Sequence, residues 1–327
     1  MLYRLLLFVS LSVFVSCSNG NSDSLFTLLD ASQTGIDFTN EVKNGENMNI
    51  FKYRNFYNGG GVAVGDINND GHVDFLCGAI NANAASRSSN GEVVVIFGTG
   101  ASLSNIDLAT FTSGTAGFRI IGAVDSDMLG FSASGAGDIN NDGFDDLIIG
   151  TLGASAPAKT RNGVAYVVFG KNTTFTDVDL STLTAGNAGF TMFGVANGDY
   201  LGYSVSNAGD FNKDGFGDFI VSSVYATYQG RLKAGTAYVM FGKASYTANI
   251  EFSSFSSGSG GFMVGGAEEL AYLGYAVSAA GDVNKDGYAD IMIGAPQESP
   301  GVPSRYHAGA VYIIYGHVSG FAEIDTA

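Results

Sequence analysis

The stretch that decides the fold is Gly65-Asp66-Ile67-Asn68-Asn69-Asp70-Gly71, because the chain repeats it almost unchanged three more times. The later copies begin at residues 137, 209 and 281, so each begins 72 residues after the one before. Three further markers recur at nearly the same spacing: the strand-like GEVVVIFG at 91–98, Gly-Phe at 117–118 and Leu-Gly at 129–130. Self-similarity at a fixed long period predicts a repeat architecture.

Within one period the pattern predicts four short strands joined by glycine-rich turns. In the second copy these strands cover about 130–137, 144–150, 163–169 and 190–194. Four-stranded units in tandem predict an all-β fold, a β-propeller of four blades. The alternatives are a β-solenoid, whose rungs are much shorter, and tandem β-sandwiches, which would not share strands between repeats. The repeats are expected at about 57–122, 129–194, 201–265 and 273–327.

The last copy ends without a Gly-Phe strand, so a closed ring needs a strand from elsewhere. Ile36-Asp37-Phe38 resembles Ile106-Asp107-Leu108, which precedes that strand in another copy. We therefore expect Ile50 to Phe56 (IFKYRNF) to complete the last blade, which gives a propeller over 36–327. The alternative is that this chain is a truncated part of a larger ring, in which case it would leave a bare sheet edge.

The N-terminal residues 1–18 are typical of an export signal, followed by a linker at 19–35. Arg4 supplies a positive charge, and Leu5 to Val15 form an apolar stretch too short to span a bilayer comfortably. Cys17 is preceded by a loose lipobox, so the signal predicts either a lipid anchor on Cys17, as in an outer-membrane lipoprotein, or plain secretion. No later segment predicts a transmembrane helix.

Composition points to a cation ligand rather than to nucleic acid. The chain has 31 acidic and 15 basic residues and a formal net charge of −16. Binding to phosphate backbones needs a basic surface, so nucleic acid is excluded as a partner. Cys17 and Cys77 are the only cysteines, so no disulfide framework holds an exported chain of this kind together.

Each repeat carries the pattern D-x-N-x-D-G-x-x-D, which predicts a Ca²⁺ site. Hard oxygen ligands at positions 1, 3, 5 and 9, with a backbone carbonyl at position 7, match the oxygen shell that Ca²⁺ prefers. The expected side-chain ligands are Asp66, Asn68, Asp70 and Asp74; Asp138, Asn140, Asp142 and Asp146; Asp210, Asn212, Asp214 and Asp218; and Asp282, Asn284, Asp286 and Asp290. The expected carbonyl ligands belong to His72, Phe144, Phe216 and Tyr288. Glycine at position 6 predicts a sharp turn with positive φ.

A turn without metal is the alternative interpretation of these loops, since Asp, Asn and Gly favour turns in any case. Three carboxylates in nine residues would then repel one another, each pair by ~1–4 kcal/mol at about 4 Å. Four such loops therefore favour a bound cation, and Mg²⁺ fits less well because it prefers fewer ligands and retained water.

These loops, with the flanking GDINNDGFDDLIIG and the downstream VAYVVFG, resemble FG-GAP repeats, the unit of the integrin α-chain propeller and of many bacterial integrin-like surface proteins. The resemblance covers about 57–327 and implies calcium-binding propeller blades at the cell surface. The first copy departs from the pattern, because Tyr57-Asn58-Gly59-Gly60 replaces the usual Leu-Gly. Integrin propellers also have more than four blades.

The sequence favours a non-enzymatic adhesion or ligand-binding module, with an extracellular hydrolase or lyase as the alternative. The three histidines, His72, His307 and His317, belong to no catalytic motif. A protein or glycan ligand is expected on the loops between strands 2 and 3 (the 2–3 loops) and between strand 4 and the next strand 1 (the 4–1 loops). The 2–3 loops hold Arg87, Lys159, Arg161, Arg231, Lys233 and Arg305 beside Tyr225, Tyr228 and Tyr306, and the 4–1 loops hold Asp125, Asp127, Asp199, Glu268 and Glu269.

Overall fold

The computed structural model describes residues 62–99, 106–156, 159–300 and 306–327. The predicted signal segment and linker (1–35), Ile36-Asp37-Phe38, the closing strand Ile50–Phe56 and Arg305 lie outside the described residues. Within the described ranges no helix is long and apolar enough to cross a membrane.

The described chain is all-β and forms four sheets in sequence order. Sheet 1 runs β1(Val62–Gly65), β2(Asp74–Ala79), β3(Glu92–Ile96) and β4(Gly117–Ile121). Sheet 2 runs β5(Leu129–Gly137), β6(Asp146–Thr151), β7(Val164–Val168) and β9(Gly189–Phe193). Sheet 3 runs β10(Leu201–Gly209), β11(Asp218–Ser223), β12(Thr236–Met240) and β14(Gly261–Gly265), and sheet 4 runs β15(Ala276–Gly281), β16(Asp290–Ala295) and β17(Ala310–Ile314). Neighbouring strands are antiparallel throughout these series.

The four strands predicted for the second copy are confirmed within about two residues at either end. The reason is local: Gly137 and Gly209 end the long first strands with positive φ, and apolar runs such as VAYVV form the third strands. The third strands β7 and β12 are buried along their whole length, because other sheets cover both of their faces.

Successive sheets pack face to face and share one hydrophobic core for each junction. Sheets 1 and 2 meet around Phe118, Leu147 and Tyr166. Sheets 2 and 3 meet around Phe190, Phe219 and Tyr246, and sheets 3 and 4 meet around Phe211, Phe262 and Leu273. Each first strand also packs on the next one, β1 on β5, β5 on β10 and β10 on β15. The three junctions are therefore built in the same way.

A two-residue strand from each following repeat extends the outer edge of the preceding sheet. β8(Val178–Asp179) pairs in parallel with β4, β13(Ile250–Glu251) with β9, and β18(Ile324–Asp325) with β14. The short helices Leu180–Thr182 and Phe252–Ser254 follow β8 and β13 directly.

An ion pair fastens each of these outer strands to a 2–3 loop of the preceding sheet. The distances from nitrogen to carboxylate oxygen are 2.7 Å for Arg87–Asp179, 3.9 Å for Lys159–Glu251 and 2.6 Å for Arg231–Asp325. The chain therefore links each repeat to the next at its outer edge as well as through the core.

Candidate functional site

The D-x-N-x-D-G-x-x-D loops connect the first and second strands of each sheet, and their turns are set by glycine. The position-6 glycines have φ of 84° at Gly71, 93° at Gly143, 92° at Gly215 and 88° at Gly287. Only glycine adopts this region without strain. The predicted positive φ is confirmed in all four loops.

The first carboxylate of each loop organises the turn around itself. In the second loop Asp138 accepts the backbone N–H of Asp142 at Oδ1 (3.0 Å) and that of Gly143 at Oδ2 (2.8 Å). The Asn140 amide oxygen accepts the Asp142 N–H (2.9 Å), and its amide nitrogen donates to Asp142 Oδ2 (3.0 Å). The other three loops repeat these bonds. Hydrogen bonds within the loop therefore hold positions 1, 3 and 5 together.

The carboxylate at position 9 is buried and joins the loop to the third strand. Asp146 accepts the Ile139 N–H at Oδ2 (3.0 Å) and the Gly170 N–H at Oδ1 (2.9 Å). Asp74, Asp218 and Asp290 make the same two bonds in their own repeats. The sequence suggested only a ligand here. The structure shows that position 9 also fastens the first hairpin to the end of the third strand.

Burial raises the pKa of two of these carboxyl groups well above the ordinary value of 3.8. The pKa of Asp146 rises to about 8 and that of Asp218 to about 7, mainly because burial disfavours the charged form. The two amide donors lower each pKa, and the loop carboxylates at nearby positions raise it. A cation in the loop would oppose this repulsion.

The loops fit Ca²⁺ in their donor chemistry. Across the described ranges no three His, Cys, Asp or Glu side chains form one metal-holding group, so amide and carbonyl oxygens would have to complete each shell. A carboxylate offers about four acceptor positions, and Asp138 and Asp142 each use two of them within the loop. The three ion pairs of the described residues all lie elsewhere, so no lysine or arginine salt bridge neutralises these loop carboxylates.

The carbonyl ligands predicted at position 7 are also available for a cation. In the described part of the chain the carbonyl oxygens of His72, Phe144, Phe216 and Tyr288 accept no backbone amide. The N–H of each residue donates to the position-5 carboxylate of its loop, at 2.9 to 3.1 Å. The backbone at position 7 is thereby tied to the loop carboxylates.

The opposite loop face differs from the expectation, because much of its charge is already used inside the fold. Arg87, Lys159 and Arg231 form the inter-repeat ion pairs. Asp127 and Asp199 are buried, and each accepts the N–H of the residue three positions earlier at 2.8 Å. These five side chains hold loops in place, which leaves less charge on this face for a partner.

A cluster of tyrosines occupies this face instead. Tyr225 lies 5.3 Å from Tyr200 and 5.4 Å from Tyr272, measured between ring centroids, and Tyr203 lies 5.2 Å from the half-exposed Tyr275. The Lys233 Nζ lies 5.6 Å above the Tyr225 ring. Sequence reasoning found Tyr225 and Lys233 but missed the other four rings. The signal was present, since Tyr-Leu-Gly-Tyr occurs at both 200–203 and 272–275.

A cavity of 520 Å³ opens beside Tyr225 at the junction of sheets 2 and 3. Its walls include Asp199, Tyr225, Lys233, Tyr238, Phe252 and Phe255. Tyr228, which the sequence placed among the contact residues, also lines it, but its ring is buried and its hydroxyl donates to Glu323. The cavity combines an apolar wall with a few polar groups, as small-ligand sites do.

The histidines and Cys77 lie apart from one another in the described structure. His72 is exposed in the first loop, His307 stacks on Tyr306 at 3.8 Å, and His317 stacks on Phe321 at 4.3 Å. Cys77 is a free, half-buried thiol in β2, and burial raises its pKa. A raised thiol pKa lowers the thiolate fraction, so Cys77 suits packing better than nucleophilic attack.

Comparison with known proteins confirms the resemblance drawn from these motifs. Residues 130–168, 201–240 and 273–314 match the family model of the FG-GAP repeat, and the first copy lies outside the matched segments. Integrin alpha pat-2 of Caenorhabditis elegans is 31% identical over 206 residues, which cover 62% of this chain and 15% of that protein. Integrin alpha-5 of Xenopus laevis is 27% identical over 60% of this chain and 16% of its own length.

A second group of relatives consists of enzymes. Phosphatidylinositol-glycan-specific phospholipase D of Bos taurus is 27% identical over 193 residues, which cover 56% of this chain and 21% of the phospholipase. The chain therefore matches about a fifth or less of the length of these relatives, integrins and phospholipase alike.

Proposed function

Because this chain carries FG-GAP repeats, we propose that it is a calcium-braced β-propeller that serves as a non-enzymatic adhesion or ligand-binding module. The observation that carries the proposal is the set of four loops in which hydrogen bonds hold positions 1, 3 and 5 together. A loop that its own hydrogen bonds hold in shape binds a cation at a smaller entropic cost. Ca²⁺ would then hold the first hairpin of every repeat.

The packing of the sheets supports the propeller. In a propeller the first strands of successive sheets lie innermost, and here β1, β5, β10 and β15 pack on one another in turn. The three junctions between sheets repeat the same contacts, as radial repetition requires. The similarity to integrin alpha chains favours the same arrangement.

The binding surface that we propose is the tyrosine cluster with the adjoining cavity, on the face of the 2–3 and 4–1 loops. Tyrosine and arginine are favoured at interfaces, and the exposed Arg161 lies in a 2–3 loop of the same face. Half-exposed Leu232 and Val195 border the cavity and add apolar surface. Such a surface suits a protein or glycan ligand.

Calcium binding is tested by isothermal titration of the chelator-treated protein. We expect four Ca²⁺ per chain, and three for Asp142→Ala, because that substitution removes one ligand from one loop. Lys213→Ala serves as the matched control, since Lys213 lies in a loop but at a position that supplies no ligand. Failure of millimolar Ca²⁺ to bind the wild-type protein would contradict the proposal.

The binding face is tested with a glycan microarray and a panel of immobilised extracellular-matrix proteins as probes. Tyr225→Ala and Lys233→Ala should weaken whatever binding the wild type shows, while the calcium stoichiometry stays unchanged. Val73→Ala, an exposed change at position 8 of the first calcium loop, is the control. Equal loss in all three variants would argue against this face.

An extracellular hydrolase is the second candidate, and the similarity to phosphatidylinositol-glycan-specific phospholipase D favours it. The purified chain should release no product from a phosphatidylinositol-glycan substrate if it is a binding module only. Turnover that survives repeated purification would favour the enzyme.

We place the protein outside the cell or on its surface, either secreted or held by a lipid on Cys17. Radiolabelled palmitate in cells that express the full chain distinguishes the two, with Cys17→Ser as the control. The similarity to integrin alpha chains supports a surface location.

A further inference from the structure

Among the described residues, one face of sheet 4 is apolar and has no sheet packed against it. We call it the tail face and define it by Val283, Val311, Ile313 and Tyr315, whose side chains are 49%, 68%, 48% and 51% exposed. Val283 lies in the fourth loop, and the other three lie on or directly after β17. An apolar set of this kind on one sheet is unusual for a surface that only meets water.

The same four positions are buried in each of the other three sheets. The equivalents are Ile67, Val93, Val95 and Phe97 in sheet 1; Ile139, Ala165, Val167 and Phe169 in sheet 2; and Phe211, Ala237, Val239 and Phe241 in sheet 3. Each set belongs to the core that its sheet shares with the following sheet. The tail face thus has the composition of a surface that meets a further sheet of the same kind.

The matching surface is the opposite face of sheet 1, which we call the head face. It carries Phe75, Cys77, Ile96 and Leu108, which are partly exposed, with Leu108 at 39%. Their equivalents in sheet 2, listed in the same order, are Leu147, Ile149, Val168 and Leu180, and all four are buried against sheet 1. Val94, on the same face, is already buried. In the described structure the head face of sheet 1 is therefore less buried than the equivalent face of sheet 2.

From these two faces we propose that the chain associates head to tail, with the tail face of sheet 4 packing on the head face of sheet 1 of a second copy. Every junction inside the chain joins one tail-type face to one head-type face. The four sheets of the described residues therefore leave one face of each type with no described sheet against it. The contact continues a packing that the chain already uses three times.

The expected assembly is a closed dimer. A head-to-tail contact is heterologous, so it either closes into a ring or grows into an open filament. Two copies have two tails and two heads, and together they stack eight sheets, since each contributes four. Propellers of about four to eight blades are the common range.

Sedimentation velocity of the full chain, from about 1 to 100 μM, tests the proposal, since interfaces of standard size have affinities from micromolar to picomolar. The wild type should sediment as a dimer. Ile313→Lys on the tail face and Leu108→Lys on the head face should each be monomeric. Both contacts of the ring use one tail face and one head face, so either substitution disrupts both contacts. An equimolar mixture of the two variants should form a one-to-one complex, since one intact tail still meets one intact head.

Val124→Lys is the matched control, because Val124 is a 53% exposed valine on a 4–1 loop outside both faces. It should remain dimeric, and all variants should unfold cooperatively near the wild-type midpoint. A monomeric wild type at 100 μM would overturn the proposal. Failure of the Ile313→Lys and Leu108→Lys mixture to associate would also overturn it. A dimer of Leu108→Lys alone would do the same, because it would indicate a tail-to-tail contact. Calcium stoichiometry is not part of this test, so its outcome is independent of the proposed function.

Discussion

Replacing the position-9 aspartate of the second repeat separates the structural role of that residue from its role in metal binding. Asp146→Ala removes the side chain that accepts the buried N–H groups of Ile139 and Gly170, at 3.0 and 2.9 Å. Leaving a buried donor without a partner costs about 1–3 kcal/mol, so two should cost about 2–6 kcal/mol. That loss is large beside the about 5–15 kcal/mol by which typical domains are stable. It should appear even in the presence of chelator.

Asp142→Ala is the comparison within the same loop. Its carboxylate accepts the Phe144 N–H and the Asn140 amide at an exposed site, where water can replace it. In chelator this variant should therefore lose little stability. With Ca²⁺ at 100 times the dissociation constant, each intact site adds about 2.7 kcal/mol, and both variants should lose that gain at one site.

Urea unfolding followed by circular dichroism, in chelator and in excess Ca²⁺, measures both effects. The expected order of midpoints in chelator is wild type close to Asp142→Ala, with Asp146→Ala well below. Identical midpoints for wild type and Asp146→Ala would show that the buried bonds contribute nothing. An equal loss for Asp142→Ala in chelator would refute the division of roles between positions 5 and 9.

Two more outcomes follow from the charges. Folding raises the pKa of Asp146 from 3.8 to about 8 and that of Asp218 from 3.8 to about 7. At a pH between the lower and the higher pKa, the folded chain therefore binds more protons than the unfolded chain. Its stability in chelator should therefore fall as the pH rises from 4 to 8, and Ca²⁺ should raise the unfolding midpoint more at pH 8 than at pH 5. Arg231→Ala breaks the 2.6 Å pair with Asp325 and should cost up to about 1 kcal/mol, because the pair is partly exposed. Lys159→Ala, with its pair at 3.9 Å, should cost less by the same unfolding assay.

The strands and the loop geometry could be predicted from the sequence because both depend on local patterns. Alternating and continuous apolar runs mark the strands, and glycine at position 6 marks the turn. Gly143 accordingly has φ of 93°, and β6 and β7 fall where the pattern places them. These features need no knowledge of distant residues.

The fate of the charged loop residues could not be predicted, since it depends on contacts between different repeats. Arg87 meets Asp179, which is 92 positions away in sequence. Asp127 is buried although it lies in a loop rich in polar residues. A sequence pattern shows that a loop is polar, but it does not show which of its charges the fold itself will use.

The junction between sheets 3 and 4 also buries a charged side chain that the sequence pattern does not predict, and it allows a last test. In the earlier repeats the 4–1 loop holds a buried carboxylate, Asp127 or Asp199, and the 2–3 loop holds a buried alanine, Ala154 or Ala226. The last repeat reverses the pair, because its 4–1 loop holds the buried Ala271 and its 2–3 loop holds the buried Glu298. Glu298 accepts a hydrogen bond from the Tyr312 hydroxyl.

We infer that each junction accommodates one buried carboxylate and not two. Ala271→Asp alone should therefore destabilise the chain, because it adds a second carboxylate beside Glu298, whereas Ala271→Asp combined with Glu298→Ala should restore much of the loss. Residues in contact typically couple by about 0.5–3 kcal/mol, so the double variant should depart from additivity by at least about 1 kcal/mol in urea unfolding. Simple additivity of the two substitutions would show that the reversal in the last repeat is coincidental.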